Sequence, residues 1–355
     1  MICFFHRNWK RQAMVCIIFQ SLLAVIMAKE AKSRRGIEGI QNFEPEKVYA
    51  LRRNIKKEDF PFSGLFHMII RLETDLGISI HPANFPKIAI NFDARLAPVL
   101  STNLELLRSL IRFLEIRGYG SEELVLVTHK LSLSYGEIVE KEFPRYKIIT
   151  SQSPDYYHPD WFHESPMPPA IRDSTELILQ FARDPDLRSK LERQSKLPAC
   201  LFLENTYWIN LATAMDDYYL GINGAITGIT LNASSNTQRF REDLTMGPAN
   251  AVEMLAIPEL WEKRLFSVLD LSKLQIAGGP SLNFEFTRSS SNLYLSKNPV
   301  FLDYLGMKWI GEERKKAGLA DKNIEDCKLF VFAEELGLGD PKKYEIIRVN
   351  SKDSD

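Results

Sequence analysis

Cysteine is scarce. The 355-residue chain has four, Cys3 and Cys16 near its start and Cys200 and Cys327 in its body. There is no CxxC pair and no Cys/His cluster at zinc or iron–sulfur spacing, which excludes the common structural metal and cluster sites. Cys200 and Cys327 read as small buried hydrophobes. A bond between them would need a proximity that sequence does not supply. A basic excess is missing too. Lys and Arg number 45 against 46 Asp and Glu, for a formal net charge of −1. No basic stripe is present, so no nucleic-acid partner is expected. Also missing are a GxGxxG or Walker loop, a nucleophile elbow, and a Ser/His/Asp or Cys/His arrangement, so no cofactor is implied.

What is present is ordinary for a globular chain: 45% hydrophobic and 26% charged residues. That much apolar content buries a sizeable core without a disulfide or metal staple. Residues 1–28 read as a signal segment. Arg7, Lys10 and Arg11 precede an apolar run from Ala13 to Ala28, broken only by Gln20 and Ser21. The run is shorter than the roughly 20 residues of a membrane span. It ends on a small residue where a signal peptidase could cut. Export to the periplasm or beyond, with no stable membrane span after processing, is the expectation. Lys29, Lys32, Arg34 and Arg35 on the far side oppose it. The alternative is a cytoplasmic protein starting at Met27.

Beyond that segment the pattern is α/β. Glu44 to Lys57 reads as a surface helix and Phe62 to Leu76 as a more buried one, so 29–80 forms a helical lead-in. A single α/β domain is expected over 81–350, with a mainly parallel sheet flanked by helices. Its clearest unit starts at the apolar run Lys87–Phe92, which fits a buried strand. Thr102-Asn103-Leu104-Glu105 has capping-box spacing. Leu104, Leu107, Ile111 and Leu114 follow at helical spacing, Gly118 and Gly120 stop the helix, and Leu124–Val127 is the next strand. This is a βαβ crossover, hence a parallel sheet. A weaker helix over Tyr135–Phe143 and a strand over Lys147–Thr150 continue the alternation. Ligands gather at the carboxyl ends of such strands. The loops after Phe92 (Asp93, Ala94, Arg95) and after Thr128 (His129, Lys130) therefore belong near any site.

Farther on, Ser151 to Pro169 reads as a long loop, Ser174 to Gln194 as a charged helix, and Leu201–Leu203 and Tyr207–Leu211 as strands. Ala251 to Arg264 reads as helix and Leu265–Leu271 as strand. Pro299 to Lys316 is the last strong amphipathic helix.

The second half carries a recognisable order of motifs. Asp270 is followed by Gly278-Gly279-Pro280, by Ser296-Lys297-Asn298-Pro299-Val300-Phe301-Leu302-Asp303, and by Gly337-Leu338-Gly339. Together with the Lys87–Phe92 strand and Ser101-Thr102, these resemble the domain of unknown function 362 family over roughly residues 45 to 350. The resemblance implies a fold more than an activity. Some members of that family carry iron–sulfur cysteines, whose spacing is absent here. The family pattern also implies a Lys and a His after the strand at Ile209-Asn210. This chain has Met215 and Asp217 there, Thr227-Gly228 where a Lys-Asn pair is implied, and Asn298 where the motif has an aspartate.

Each candidate site residue has two readings. Asp303, in the first turns of a helix, is a site carboxylate or an acid favoured by the helix dipole. Asn298 and Ser296 are ligand groups or caps for that helix, with Pro299 suited to its first position. Gly278 and Gly279 let backbone approach a ligand or form a tight turn. Asp270 is a site acid or a turn-former. Asn210, Asn223, Asn236 and Arg239 form an amide-rich stretch that could bind a polar ligand or be a solvated loop. His158, Asp160, His163 and Glu164 have no known metal-ligand spacing, so no metal is expected.

Two functions follow. One is an exported binding protein for a small polar ligand, its chemistry lost with the missing Lys and His. The other is an active enzyme on a small polar substrate, using Asp303 and Asp270.

Overall fold

The computed structural model describes residues 45–52, 63–168, 171–203, 205–241 and 243–349. The expected signal segment, the Met27 start and the 351–355 tail lie outside the described residues. At the centre is the expected unit. β2 (Lys87–Phe92) leads through α2 (Leu104–Ile116) into β3 (Leu124–Val127), which pairs parallel to β2. α3 (Leu133–Glu142) and β4 (Lys147–Ile149) extend the parallel run. The chain then returns to the other side of β2. There β7 (Thr206–Asp217) pairs parallel to β2, and β9 (Arg264–Gln275) pairs parallel to β7. β11 (Asn292–Ser296) runs antiparallel to β9. Beyond it lie β1 (Glu46–Arg52) and, parallel to β1, β12 (Tyr344–Arg348). The order is β12-β1-β11-β9-β7-β2-β3-β4, with β8 (Gly221–Asn223) paired to the end of β7 and β10 (Thr287–Arg288) to the end of β9. Every strand in this path runs the same way except β11.

The alternation of side chains divides the core between two faces. Ile88, Ile90, Phe92, Leu124, Leu126, Ile209 and Leu211 pack with α1 (Ser63–Leu76), α2 and α3. Ala89, Val125, Trp208, Ala212 and Ala214 face the opposite layer. That layer comprises α6 (Ala225–Ile229), α7 (Met246–Leu255), α8 (Pro258–Glu262), α9 (Pro299–Lys316) and α10 (Lys328–Glu335). The molecule is thus an α/β protein with a mostly parallel sheet between two helical layers. Among the described residues, no helix is long and apolar enough to cross a membrane.

Several expectations are corrected. Of the segment read as a surface helix, Glu46–Arg52 is the strand β1, whose Val48, Tyr49 and Leu51 are buried. It sits inside the sheet, between β11 and β12. The segment read as a long loop contains β5 (Tyr157–Glu164), paired antiparallel with β6 (Gln194–Pro198) in a two-stranded ribbon. The segment between β5 and β6, read as one charged helix, is two helices, α4 (Ile171–Gln180) and α5 (Pro185–Arg193). The strand read at Leu201–Leu203 is absent; a short 3-10 turn, Ala199–Leu201, stands there. The capping box is not formed as read either. Asn103 caps α2, its side chain accepting from Glu105 N at 2.9 Å. Thr102 is released for another task, described below.

Candidate functional site

β2, β3 and β4 are laid down in one direction from β2, while β7 and β9 are laid down in the other. The reversal falls between β2 and β7. In open parallel sheets this is where a crevice opens beyond the carboxyl ends of the strands. A cleft of about 290 Å³, partly open to solvent, lies there, with room inside for about one water. Its lining comes from both strands (Asn91, Asn210), from the loops after β2 and β3 (Asp93, Arg95, Thr128, His129), and from the α6 region (Gly224, Gly228, Asn232).

The floor is an amide pair. Asn91 and Asn210 are register partners on adjacent strands. Asn91 Nδ2 donates to Asn210 Oδ1 at 2.8 Å and to Gly228 O at 3.3 Å. Asn210 Nδ2 donates to Ala225 O at 2.9 Å. A Cβ at Gly228 would make only ordinary contact with this pair, 3.4 Å from Asn210 Oδ1. The pair therefore ties the central strands to α6.

The rim is a charge pair. Arg95 grips Asp93 in two places, Nε to Oδ1 at 3.0 Å and Nη2 to Oδ2 at 2.7 Å. Thr213 donates to Asp93 Oδ2 at 3.1 Å. Burial alone would raise the Asp93 carboxyl. The Arg95 guanidinium and the Thr213 hydroxyl outweigh burial and hold it below the usual carboxylate range. Thr102 fixes the loop: its Oγ1 accepts from Asp93 N at 2.8 Å and donates to Leu211 O at 2.9 Å. The residue read as a helix cap is a staple between the exit of β2 and β7.

Behind Arg95 stands a second amide cluster. Asn223 Oδ1 accepts from Arg95 Nη2 at 3.2 Å, Thr227 Oγ1 at 2.9 Å and Asn232 Nδ2 at 2.7 Å. Asn232 Oδ1 in turn accepts from Arg241 Nη2 at 2.8 Å, and Arg241 Nη1 pairs with the fully buried Asp217 at 3.1 Å. Opposite, His129 lies beside Tyr157, with Nδ1 and the phenol oxygen 3.2 Å apart. Burial, reinforced by Arg95 and Lys130, lowers the imidazole to about 4. His129 is thus uncharged at neutral pH.

The sequence candidates are scattered by comparison. Asn210 is on the cleft floor. Asp303 is fully buried behind Gly224, accepting from the backbone amides of Ala225 and, at 2.9 Å, Ile226. Burial raises its carboxyl to about 7 against the pull of those two amides. It holds the first turn of α6 from behind the cleft wall. Asp270 holds a bulge in β9 by accepting from Ser272 N and Oγ at 2.8 and 2.7 Å. Asp303 and Asp270 line neither of the two clefts described in this section.

Asn298 caps α9, with Val300 N donating to its Oδ1 at 3.0 Å, and ties Leu338 O to that end. Gly278 takes φ +81°, and Gly279 lies so close to β7 that a methyl there would overlap the Asp216 carbonyl oxygen. Arg239 is buried at the ribbon, with Nη2 3.4 Å from Ser165 O and Nη1 3.5 Å from Ser195 Oγ. In the ribbon, His163 Nε2 meets Asn250 Oδ1 at 2.9 Å and Glu164 pairs with Arg193 at 3.1 Å. Among the described residues, no group of three or more His, Cys, Asp or Glu could hold a metal ion. Cys200 and Cys327 are both free and buried.

A second cleft of about 660 Å³ lies at the start of α2, lined by Ser101, Thr102, Asn103, Tyr135 and Lys273 among others. It is larger, but its polar groups serve local structure, Asn103 as the helix cap and Thr102 as the staple. The smaller cleft, by contrast, has a buried hydroxyl in its wall, Thr128 Oγ1, without a hydrogen-bond partner among the described residues.

No protein-family model and no curated protein matches the chain. A crystal structure of a Thermotoga maritima protein from a structural-genomics consortium is similar at 15% identity and a TM-score of 0.38. The match covers 71% of this chain and spans 58% of that one.

Lining residues that the sequence did not mark as site residues include Asn91, Thr128, Gly224, Gly228 and Asn232. Asn91 carried a usable signal, since it is the one polar residue after Ile88-Ala89-Ile90 in a strand expected to be buried, and a buried amide demands a partner.

Proposed function

We propose that the protein binds a small polar ligand in the crevice between the carboxyl ends of β2 and β7. The observation that carries this reading is the buried Thr128 hydroxyl, without a hydrogen-bond partner among the described residues, in the wall of a cleft floored by the Asn91–Asn210 pair. Buried polar groups in folded proteins are almost always satisfied, so such a hydroxyl in a cleft at a switch point supports polar recognition there. The enzyme alternative resting on Asp303 and Asp270 gains no support, because both carboxylates are committed to backbone amides.

The order of motifs supports placing the chain as a divergent relative of the domain of unknown function 362 family. Met215 and Asp217, where that family's Lys and His are implied, are buried here, Asp217 against Arg241. Export rests on the basic, apolar and small-residue pattern of residues 7–28. Mass spectrometry of the native N-terminus tests it, and an intact start at Met27 refutes it.

The ligand reading is tested by thermal shift against a panel of small metabolites on the wild type and on Gly228→Ala. The added methyl makes only ordinary contact with Asn210, so the fold tolerates it while the cleft narrows. A stabilising compound whose effect weakens in the variant is expected. No stabilising compound, or one indifferent to the substitution, refutes the site.

A further inference from the structure

The second cleft, about 660 Å³ and partly open to solvent, is built between the β2–α2 loop, the start of α2 and the bulge of β9. Unlike the crevice, it has interior room for a small organic molecule. Thr102 stands between the two. It lines this cleft, while its Oγ1 accepts from the amide of Asp93, which lines the crevice.

The uncommitted groups of this cleft are donors. Lys273 extends from β9, and its exposed ammonium makes one long contact, 3.4 Å from Pro98 O, with no carboxylate partner among the described residues. At the start of α2, Asn103 Oδ1 takes the Glu105 amide and Asn103 O takes the Leu107 amide. The amide of Leu104, a lining residue, is left without a partner among the described residues. The helix dipole adds about half a positive charge at this end. On the α3 side, Tyr135 OH and Ser101 Oγ lie 3.4 Å apart, longer than the ordinary hydroxyl bond of about 2.8 Å. Tyr135 is 7% exposed, so its phenol has little water to turn to.

Acceptors are few by comparison. Thr102 Oγ1 and Asn103 Oδ1 are in use, and Ser272 is committed to Asp270. Glu105 is the one carboxylate among the lining residues; it is exposed and paired with Arg108 in the next turn. A cation, a first-turn amide and two hydroxyls thus converge from β9, α2 and α3 on a space that offers them little to bind. An oxyanion completes such a set. Three directions of approach suit phosphate, with three terminal oxygens on a monoester, better than carboxylate, with two.

We propose that this cleft binds the phosphate of a small phosphomonoester, its oxygens accepting from Lys273 Nζ, the Leu104 amide and the Ser101 and Tyr135 hydroxyls. The site is separate from the crevice and does not rest on the ligand reading given above.

The test titrates methyl phosphate into the full chain at fixed ionic strength, followed by phosphorus NMR line broadening, with acetate followed by proton NMR as the carboxylate probe. Methyl phosphate should bind saturably, and acetate more weakly. Lys273→Ala should weaken methyl phosphate about tenfold, as for the loss of one charge-assisted hydrogen bond, and Lys273→Arg should retain most of the affinity. Tyr135→Phe should weaken it several-fold. Glu105→Gln removes the opposing charge and should tighten it. Circular dichroism checks each fold; the exposed Lys273 decides the matter if Tyr135→Phe fails to fold. No saturable binding to the wild type overturns the proposal, and a panel compound that still depends on Gly228 would then leave the crevice reading standing. Acetate binding as tightly as methyl phosphate overturns the phosphate class. An affinity unchanged in Lys273→Ala overturns the site. An affinity lost in Gly228→Ala but kept in Lys273→Ala moves the anion to the crevice and overturns it as well.

Discussion

Asn91 and Asn210 stand side by side in register on neighbouring parallel strands, joined by a 2.8 Å hydrogen bond between their side-chain amides. Both are nearly or fully buried, in strands whose other residues are mostly apolar. Buried amides are tolerated only when satisfied. Here each finds its second partner in a carbonyl of α6, so strand pairing and cleft wall depend on the same two side chains.

Asn210→Ala leaves Asn91 Nδ2 short of one acceptor and Ala225 O without its donor. The expected loss is about 1–3 kcal/mol, read by urea denaturation at constant m-value. With Asn91→Ala, a double-mutant cycle should return a coupling energy clearly different from zero. Additive effects would show that the two amides act independently.

Thr102→Val removes a hydroxyl that satisfies two backbone groups, Asp93 N and Leu211 O. A loss of about 2 kcal/mol is expected, while Thr102→Ser should retain most of the stability. A loss in Thr102→Ser with none in Thr102→Val would point to the methyl group, not the staple.

Asp303 titrates in the unfolded chain near pH 4 and in the folded protein at about 7. Its folded form holds the proton more tightly. The contribution is complete below about pH 4 and disappears as pH rises through 7. Asp303→Asn should therefore gain on the wild type between those limits and run parallel to it above them. Denaturant midpoints measured across pH 4 to 8 check this.

His129 slopes the other way. It is lowered from the ordinary 6.5 to about 4. Its contribution is complete above about pH 6.5 and lost as pH falls through 4. His129→Gln should flatten the acid side of the stability profile. The wild-type curve conceals part of both effects because they oppose each other over the same interval.

Gly279→Ala forces a methyl onto the Asp216 carbonyl oxygen. Backbone cannot yield as a side-chain tip can, so a loss of about 3 kcal/mol or more is expected, with a lower midpoint in thermal unfolding. A neutral Gly279→Ala would show that the turn after β9 is free to move.

The strongly patterned elements were legible. Lys87–Phe92, Leu124–Val127 and Pro299–Lys316 appear in the structure with the bounds their apolar spacing indicates. β1 was not, because its charged residues break the two-residue alternation, and its burial comes from strands and helices distant in the chain. The β5–β6 ribbon is largely exposed on both faces of β5, so its sequence shows no alternation. At the site, the strand-end rule placed Asp93, Arg95 and His129 on the cleft. Asn223 ends the short strand before α6 and Asn232 lies in the 3-10 turn after it. What brings them to Arg95 is tertiary, and nothing in their local sequence reports it.

β1 lies between β11 and β12, and Ser296 Oγ bonds back to Lys47 O across 249 residues. During synthesis β1 leaves the ribosome long before either partner exists. Its Val48, Tyr49 and Leu51 must wait without a strand partner while nearly the whole domain is made. The sheet can close only after β12 has been made, and such distant pairing is slow. Over that interval β1 is an unpaired apolar strand, the kind of segment that chaperones hold and aggregates recruit.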